Sequence, residues 1–233
     1  MSIISRKILS SNKDIDGDYI QYAHVTSTTA RTLTVDTGDG WVAPKPGNII
    51  FAVGSYRLTA SLSSITIPSG FTLIQESLLL TSAGFVAWKV ADGTETSFSA
   101  TTSGGTLSTE MLAIIEFPGI GLNSATLHDS DIDTSKRNSN TKTVTTGTST
   151  LAASRGCAYG FAMPFSGNNW EPATCSWDND FVAQAAILSP GTPGRACVYV
   201  ATKVLVESGD YTSTFTTTDT GNNIIGAMAI FAG

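Results

Sequence analysis

Two tryptophans set among amides and carboxylates are the residues best equipped for chemistry in this chain. Gly167-Asn168-Asn169-Trp170-Glu171-Pro172 is followed closely by Trp177-Asp178-Asn179-Asp180. An indole offers an apolar face on which a sugar ring stacks. Amides and carboxylates supply donors and acceptors for sugar hydroxyls. Trp170, Trp177, Asn168, Asn169, Glu171 and Asp178 are therefore the candidate glycan-binding set. The competing reading is structural: Trp177 packs in a core and Trp170 covers a loop. Trp41 and Trp88 are read as structural.

Other chemistry is thinly supplied. Asn12-Lys13-Asp14-Ile15-Asp16-Gly17-Asp18 starts like a calcium loop, with alternating oxygen ligands and Gly at the sixth position. Its twelfth position, however, is Ala23 where a bidentate Glu is needed. Asp129, Asp131 and Asp133 alternate as well. A polar turn and a solvated strand edge account for the two runs more simply, so no metal or cofactor is expected. His24 and His128 lie in unrelated segments, outside any metal-ligand spacing. There is no Gly-x-Ser-x-Gly elbow and no Gly-rich phosphate loop before a helix. Glycosidase carboxylate pairs are set by distance in space, which spacing does not reveal. The expectation is a protein without catalytic activity.

Composition narrows the class. The chain has 233 residues, within the range of one large all-β domain. Charged residues make up 14%, well under the usual share of about 25%. Ser and Thr together supply roughly a quarter of the chain. Thr suits a pleated surface and Ser suits turns. The net charge of −6 argues against nucleic acid, which selects clustered Lys and Arg. The basic pair Lys136-Arg137 reads as solvated charge. Cys157, Cys175 and Cys197 are an odd set without regular spacing and read as small strand hydrophobes, with a Cys157–Cys175 bridge as the alternative. No signal peptide is read in Met1-Ser2-Ile3-Ile4-Ser5-Arg6-Lys7, and no window approaches a membrane-spanning apolar run.

The elements that would carry such sites show a faint repeat. Phe85-Val86-Ala87-Trp88-Lys89-Val90 is answered by Tyr199-Val200-Ala201-Thr202-Lys203-Val204. Each is followed by a polar turn, Asp92-Gly93-Thr94-Glu95 and Glu207-Ser208-Gly209-Asp210. Each half then closes on an apolar run, Met111-Leu112-Ala113-Ile114-Ile115-Glu116-Phe117 and Ile225-Gly226-Ala227-Met228-Ala229-Ile230-Phe231. Alternation places Val86, Trp88 and Val90 on one strand face and Lys89 on the other, and in the second half Val200 and Val204 inward with Lys203 outward. Residues 108–117 have helical propensity, but Asn222, Asn223 and Gly226 in the partner run favour strands in both. About a dozen short strands separated by turn signals predict an all-β protein: a jelly-roll-like two-sheet antiparallel β-sandwich built from two similar halves. The half-repeats span about 42–118 and 142–232 within one domain, 41–233. Residues 1–40 form an N-terminal arm with a peripheral strand, a candidate docking segment. The two closing runs are apolar on both faces, whereas a sandwich strand has one wet face. Either the arm, the crossover at 118–140 or a neighbouring subunit covers them. Gly226, Ala227 and Ala229 are the candidate subunit interface, since small side chains permit close approach.

Several steps resemble a family of β-sandwich proteins found among phage and prophage tail and adhesin genes. Pro46-Gly47-Asn48-Ile49-Ile50-Phe51-Ala52-Val53 resembles its "PGDLLVAFV" opening. Ile67-Pro68-Ser69-Gly70-Phe71-Thr72-Leu73-Ile74 is similar to "PSGWTLV", with Phe71 in place of Trp. Ala87-Trp88-Lys89-Val90-Ala91-Asp92-Gly93-Thr94-Glu95 is similar to "YKVADGTE". Ile114-Ile115-Glu116-Phe117-Pro118-Gly119-Ile120 and Ala227-Met228-Ala229-Ile230-Phe231 resemble its "AYRGV" and "AFRP" steps. The resemblance covers about residues 42–232 and implies a fold and a virion-associated role, with no catalytic residues. The resulting expectation is a bacteriophage tail or tail-fibre component. Such a protein is made in the host cytoplasm and carried on the virion, and it contacts other virion proteins, further copies of itself and a host surface glycan. A carbohydrate-binding module and a capsid decoration protein are the alternatives.

Overall fold

The computed structural model describes residues 5–6, 19–79, 81–119, 126–133, 141–153, 155–166, 175–189, 195–221 and 223–232. Their regular structure is β, apart from one 3-10 turn at Thr37–Asp39. The first seven strands are β1 (Ser5–Arg6), β2 (Gln21–Ser27), β3 (Thr32–Asp36), β4 (Ile49–Thr66), β5 (Thr72–Leu78), β6 (Ser82–Val90) and β7 (Ser97–Phe117). They form one antiparallel sheet in the order β1-β2-β7-β4-β6-β5, with β3 paired to the opening of β7.

The remaining strands are β8 (Thr126–Asp133), β9 (Thr141–Thr145), β10 (Ser149–Leu151), β11 (Gly156–Ser166), β12 (Cys175–Trp177), β13 (Val182–Leu188), β14 (Arg195–Leu205), β15 (Gly209–Tyr211), β16 (Thr214–Gly221) and β17 (Asn223–Ala232). The second large sheet runs β13-β14-β11-β17-β8. Two small sheets, β12-β16-β9 and β10-β15, complete the set.

The two large sheets pack face to face. Phe51, Phe117, Tyr159 and Phe231 meet at the centre of this contact, with ring centroids 4.9 to 5.9 Å apart. Edge-on and tilted contacts of this kind suit the ring quadrupoles. Met111, Ala113 and Ile115 from one side and Ile225, Ala227 and Ala229 from the other extend the same core.

A second core lies on the far face of the first sheet. β4 and β7 are far longer than ordinary strands, and their pairing slips at Arg57/Leu58, Leu58/Ala60 and Leu62/Ser64. Bulges bend strands and sharpen their twist. Beyond the slips, the outer parts of both strands join β3. There Leu33, Val35, Leu58, Leu62, Phe98 and Ala100 cover Ile50, Ala52, Phe85, Leu112 and Ile114. The second sheet is covered similarly. Val144 of β9 and Phe215 of β16 pack on Ala162, Tyr199 and Ile224, while Leu151 of β10 packs with Met228 and Ile230. The protein thus has two inner layers buried on both faces and an outer layer on each side. This explains the closing runs: a strand with two dry faces has no polar alternation.

The cover comes from within the chain. It is supplied by outer strands, whereas β8 of the crossover pairs beside β17 as an edge. Residues 21–36 are likewise not a separable arm. β2 pairs along β7 from Glu116 to Glu110, and Ala23, Leu33 and Val35 are buried in the far-face core. The jelly-roll connectivity is also not what the sheet orders give. β4 to β7 stay in one sheet, in the order 7-4-6-5, whereas a Greek key has the order 4-1-2-3.

The orders of the large sheets run in step. β2-β7-β4-β6-β5 in the first reads as β8-β17-β11-β14-β13 in the second. Register agrees to the residue. Thr72, Leu73 and Gln75 oppose Trp88, Ala87 and Val86, with a slip between Leu73 and Gln75. Val182, Ala183 and Ala185 oppose Thr202, Ala201 and Val200, with a slip between Ala183 and Ala185.

Candidate functional site

Of the candidate glycan set, Asn168, Asn169, Trp170 and Glu171 lie outside the described residues. Trp177 and Asp178 lie within them, and both are committed to packing and turn formation. The Trp177 ring packs edge-on against Phe215 at 5.3 Å and is stacked with Phe181 at 6.5 Å. It lies over Gly160, where a Cβ would come within 3.0 Å of the ring. Asp178 opens a turn closed by Phe181 N–H donating to its carbonyl at 3.2 Å. The central residues Asn179 and Asp180 have φ of 54° and 61°. Two left-handed residues in succession are the signature of a type I′ turn, and Asn and Asp tolerate that region best after Gly. The Asp178 carboxylate accepts from Thr214 N–H at 2.5 Å and from the Ser213 hydroxyl at 3.2 Å. Asn179 Nδ2 donates to Thr212 carbonyl at 2.9 Å, and Lys203 Nζ donates to Asn179 carbonyl at 2.8 Å. The Asp178 carboxylate and the Asn179 amide thus serve backbone geometry, while the exposed Asp180 carboxylate pairs with Lys203 at 3.7 Å.

Gly226, Ala227 and Ala229 are buried within the chain. Ala227 and Ala229 face the core between the large sheets. Gly226 lies under β9, where a Cβ would stand 2.4 Å from Thr145 carbonyl oxygen and 3.0 Å from Val144 Cγ2. The close approach these small residues permit is intrachain, so the protomer leaves them no face for a second subunit.

Two buried carboxylates on β7 escape sequence reasoning. Glu116 sits where β7 ends. Gln21 Nε2 donates to it at 2.6 Å, Lys45 N–H at 2.9 Å and Asn48 Nδ2 at 2.5 Å. Gln21 also bonds Val42 carbonyl at 2.8 Å, and Asn48 Oδ1 accepts from Gly119 N–H at 3.0 Å. Glu116 therefore ties β2, the approach to β4 and the exit of β7 together. Glu110 lies six residues earlier on the same strand face and is fully buried, yet neither of its oxygens has a donor among the described residues. The hydroxyl of Tyr56, its cross-strand neighbour, is also unpartnered there. Burial raises Glu110 to about 7 despite the opposing Arg31 charge, and burial raises Tyr56 as well. The readable signal was a Glu inside the closing apolar run at 116 and another immediately before it at 110. Its two outcomes depend on partners 68 to 95 residues away.

The outer layers present hydroxyls. Thr66, Thr101 and Thr32 stand in one row across three strands, and Ser176, Thr216 and Thr143 stand in one row on the other side. All six are exposed. Neighbouring hydroxyls pair directly: Thr32 with Thr101 at 3.0 Å, Thr34 with Ser99 at 2.7 Å, and Ser64 with Ser103 at 2.8 Å. A paired hydroxyl keeps further donor or acceptor capacity. The arrangement suits neutral hydrogen bonding to a polar surface.

Comparison with family models, curated proteins and solved structures finds no match to the chain.

Asp14, Asp16 and Asp18 fall outside the described residues. Asp129, Asp131 and Asp133 lie on β8 opposite Ile230, Met228 and Gly226. Among the described residues no three His, Cys, Asp or Glu side chains converge. His24 is buried, and burial lowers its pKa. None of Cys157, Cys175 and Cys197 is in a disulfide; Cys157 and Cys197 are buried in strands and Cys175 is half-buried. No helix of the described residues is long and apolar enough to cross a membrane.

Proposed function

We propose that this protein is a non-enzymatic virion structural component of a bacteriophage, carried at the tail or its fibres, and that its two inner sheets are duplicated copies of one unit. The observation that carries the reading is the position of the resembling steps, each of which is a frame element. Residues 46–53 lead into β4, 67–74 turn from β4 into β5, 87–95 close β6, and 114–119 close β7. The turn at 92–95 shows the kind of role they have. Glu95 accepts from Asp92 and Gly93 N–H at 2.9 and 3.0 Å and pairs with Lys89 at 2.6 Å, which locks the chain reversal. Agreement in strand order and in bulge position supports duplication. Four β layers with doubly buried inner sheets suit a rigid assembly block. The neutral hydroxyl faces are its natural contact surfaces toward other virion proteins, further copies of the chain or a host glycan.

Antibodies against the chain, used for gold labelling of intact particles from the source with mass spectrometry alongside, test the proposal. Label at the tail or fibres is the expected result. Label over the head converts the reading to capsid decoration. Absence from particles overturns it and favours a carbohydrate-binding module, for which a glycan array with wild type and Trp170→Ala is the next experiment.

A further inference from the structure

Glu110 stands where the long strands bend. It opposes Tyr56, and the first slip in the β4–β7 pairing follows one pair later, at Arg57/Leu58. On one side of this point the strands belong to the inner sheet. On the other, residues 58–66 and 97–107 form the outer ribbon that covers it.

The fold itself does not require a carboxylate here. With the two large sheets matched by register, Met111 corresponds to Ile225, and Glu110 to Ile224, a fully buried apolar residue. A buried carboxyl without donors is tolerated only while it carries its proton, because the ion lacks both water and partners. The groups facing it from neighbouring elements are few. Tyr56 comes from β4 and Ser27 from β2, both neutral. Arg31, from the turn between β2 and β3, acts on it through charge. The Arg31 guanidinium is already engaged with Gly104 and Gly105 carbonyls within the ribbon, at the Leu62–Gly104 pair, the latter at 2.8 Å. Glu76 of β5 acts on Tyr56 and carries a raised pKa of its own from burial.

We propose that Glu110 makes this bend a pH-operated hinge, its ionisation releasing the outer ribbon and β3 from the inner sheet. The proton leaves the Glu110 carboxyl for solvent once the ribbon opens. Closure restores it, so opening is favoured as pH rises.

Hydrogen exchange on the full-length protein at pH 6 and pH 8, corrected for intrinsic rates, tests the hinge. For a carboxyl ordinary when open and near 7 when closed, the opening constant of amides in 58–66 and 97–107 rises about tenfold between these values. Amides of β9 and β16, in the opposite outer layer, hold steady. Glu110→Gln and Glu110→Leu, the latter mimicking Ile224, abolish the rise. A ribbon whose opening is independent of pH in the wild type overturns the proposal. So does the same tenfold rise in either variant.

Discussion

Removing the Glu116 carboxylate tests how much of the first sheet's closure rests on one side chain. Three donors converge on it, two from buried side chains and one from backbone. A hydrogen bond to a charged group contributes about 1.5–3 kcal/mol net, so simple addition gives roughly 4–9 kcal/mol. That sum overstates the loss. Gln21 Nε2 keeps Val42 carbonyl, and Asn48 keeps Gly119 N–H through its other atom. What is orphaned outright is Asn48 Nδ2 and Lys45 N–H, at about 1–3 kcal/mol each. Glu116→Ala should therefore cost about 3–5 kcal/mol. Glu116→Gln should cost about 2, because its oxygen serves Lys45 and Asn48 while its amide nitrogen faces that of Gln21. Urea unfolding at neutral pH with an unchanged m-value is the assay. Combining Glu116→Ala with Gln21→Ala should cost less than the sum of the two, since they share one bond. A loss below 1 kcal/mol for Glu116→Ala would refute the reasoning and mean that water serves those donors equally well.

Gly226→Ala forces a methyl against Thr145 carbonyl and should cost about 1–3 kcal/mol by thermal or urea unfolding, with β9 displaced. At the 178–181 turn, Asn179→Val should lose about 1–2 kcal/mol, because a β-branched residue is forced left-handed, while Asp180→Gly should hold or raise stability. Stability should also fall with rising pH. The folded protein holds the Glu110 proton to about 7, whereas the unfolded chain releases it near 4.3. The contribution is therefore complete below about 4.3 and lost by about 7, amounting to roughly 4 kcal/mol. Glu110→Gln should flatten that slope in urea titrations run from pH 4 to pH 8.

The all-β class, the turn at Pro68-Ser69-Gly70 and the inward faces of Val86, Trp88 and Val200 were legible in alternation and turn chemistry, whereas Val90 and Val204, read inward by the same alternation, are exposed at the strand ends. So was the anomaly of two closing runs with no wet face. What covers them was not legible, because a strand's path after a bulge depends on tertiary register, and nothing local in residues 58–66 announces a bend. Asp178 of the candidate glycan set and its neighbours Asn179 and Asp180 show a physical ambiguity: the side chains that bind sugars are also those that build turns and tolerate left-handed backbone. Gly226 and its neighbours misled similarly, since close approach within a chain and between chains selects the same small residues. Glu110 and Glu116 show the limit most plainly. Glu116 sits inside the closing apolar run and Glu110 immediately before it, and only the placement of Gln21, Lys45 and Asn48 separates a satisfied carboxylate from an unsatisfied one.

The position of the closing strands also sets the order of events during synthesis. β7 lies between β2 and β4 in the first sheet, so that sheet has every strand it needs once residue 117 has emerged from the ribosome. β17 lies between β11 and β8 in the second, which stays split until the last strand is released. Until β11 emerges, the face bearing Phe51, Ile115 and Phe117 lacks the rings of Tyr159 and Phe161, and until β17 emerges it still lacks Phe231. Nascent chains are then exposed to association through this face. The final ten-residue strand both completes its own sheet and ends that vulnerability, which makes translation through residues 223–232 the decisive step in the yield of native protein.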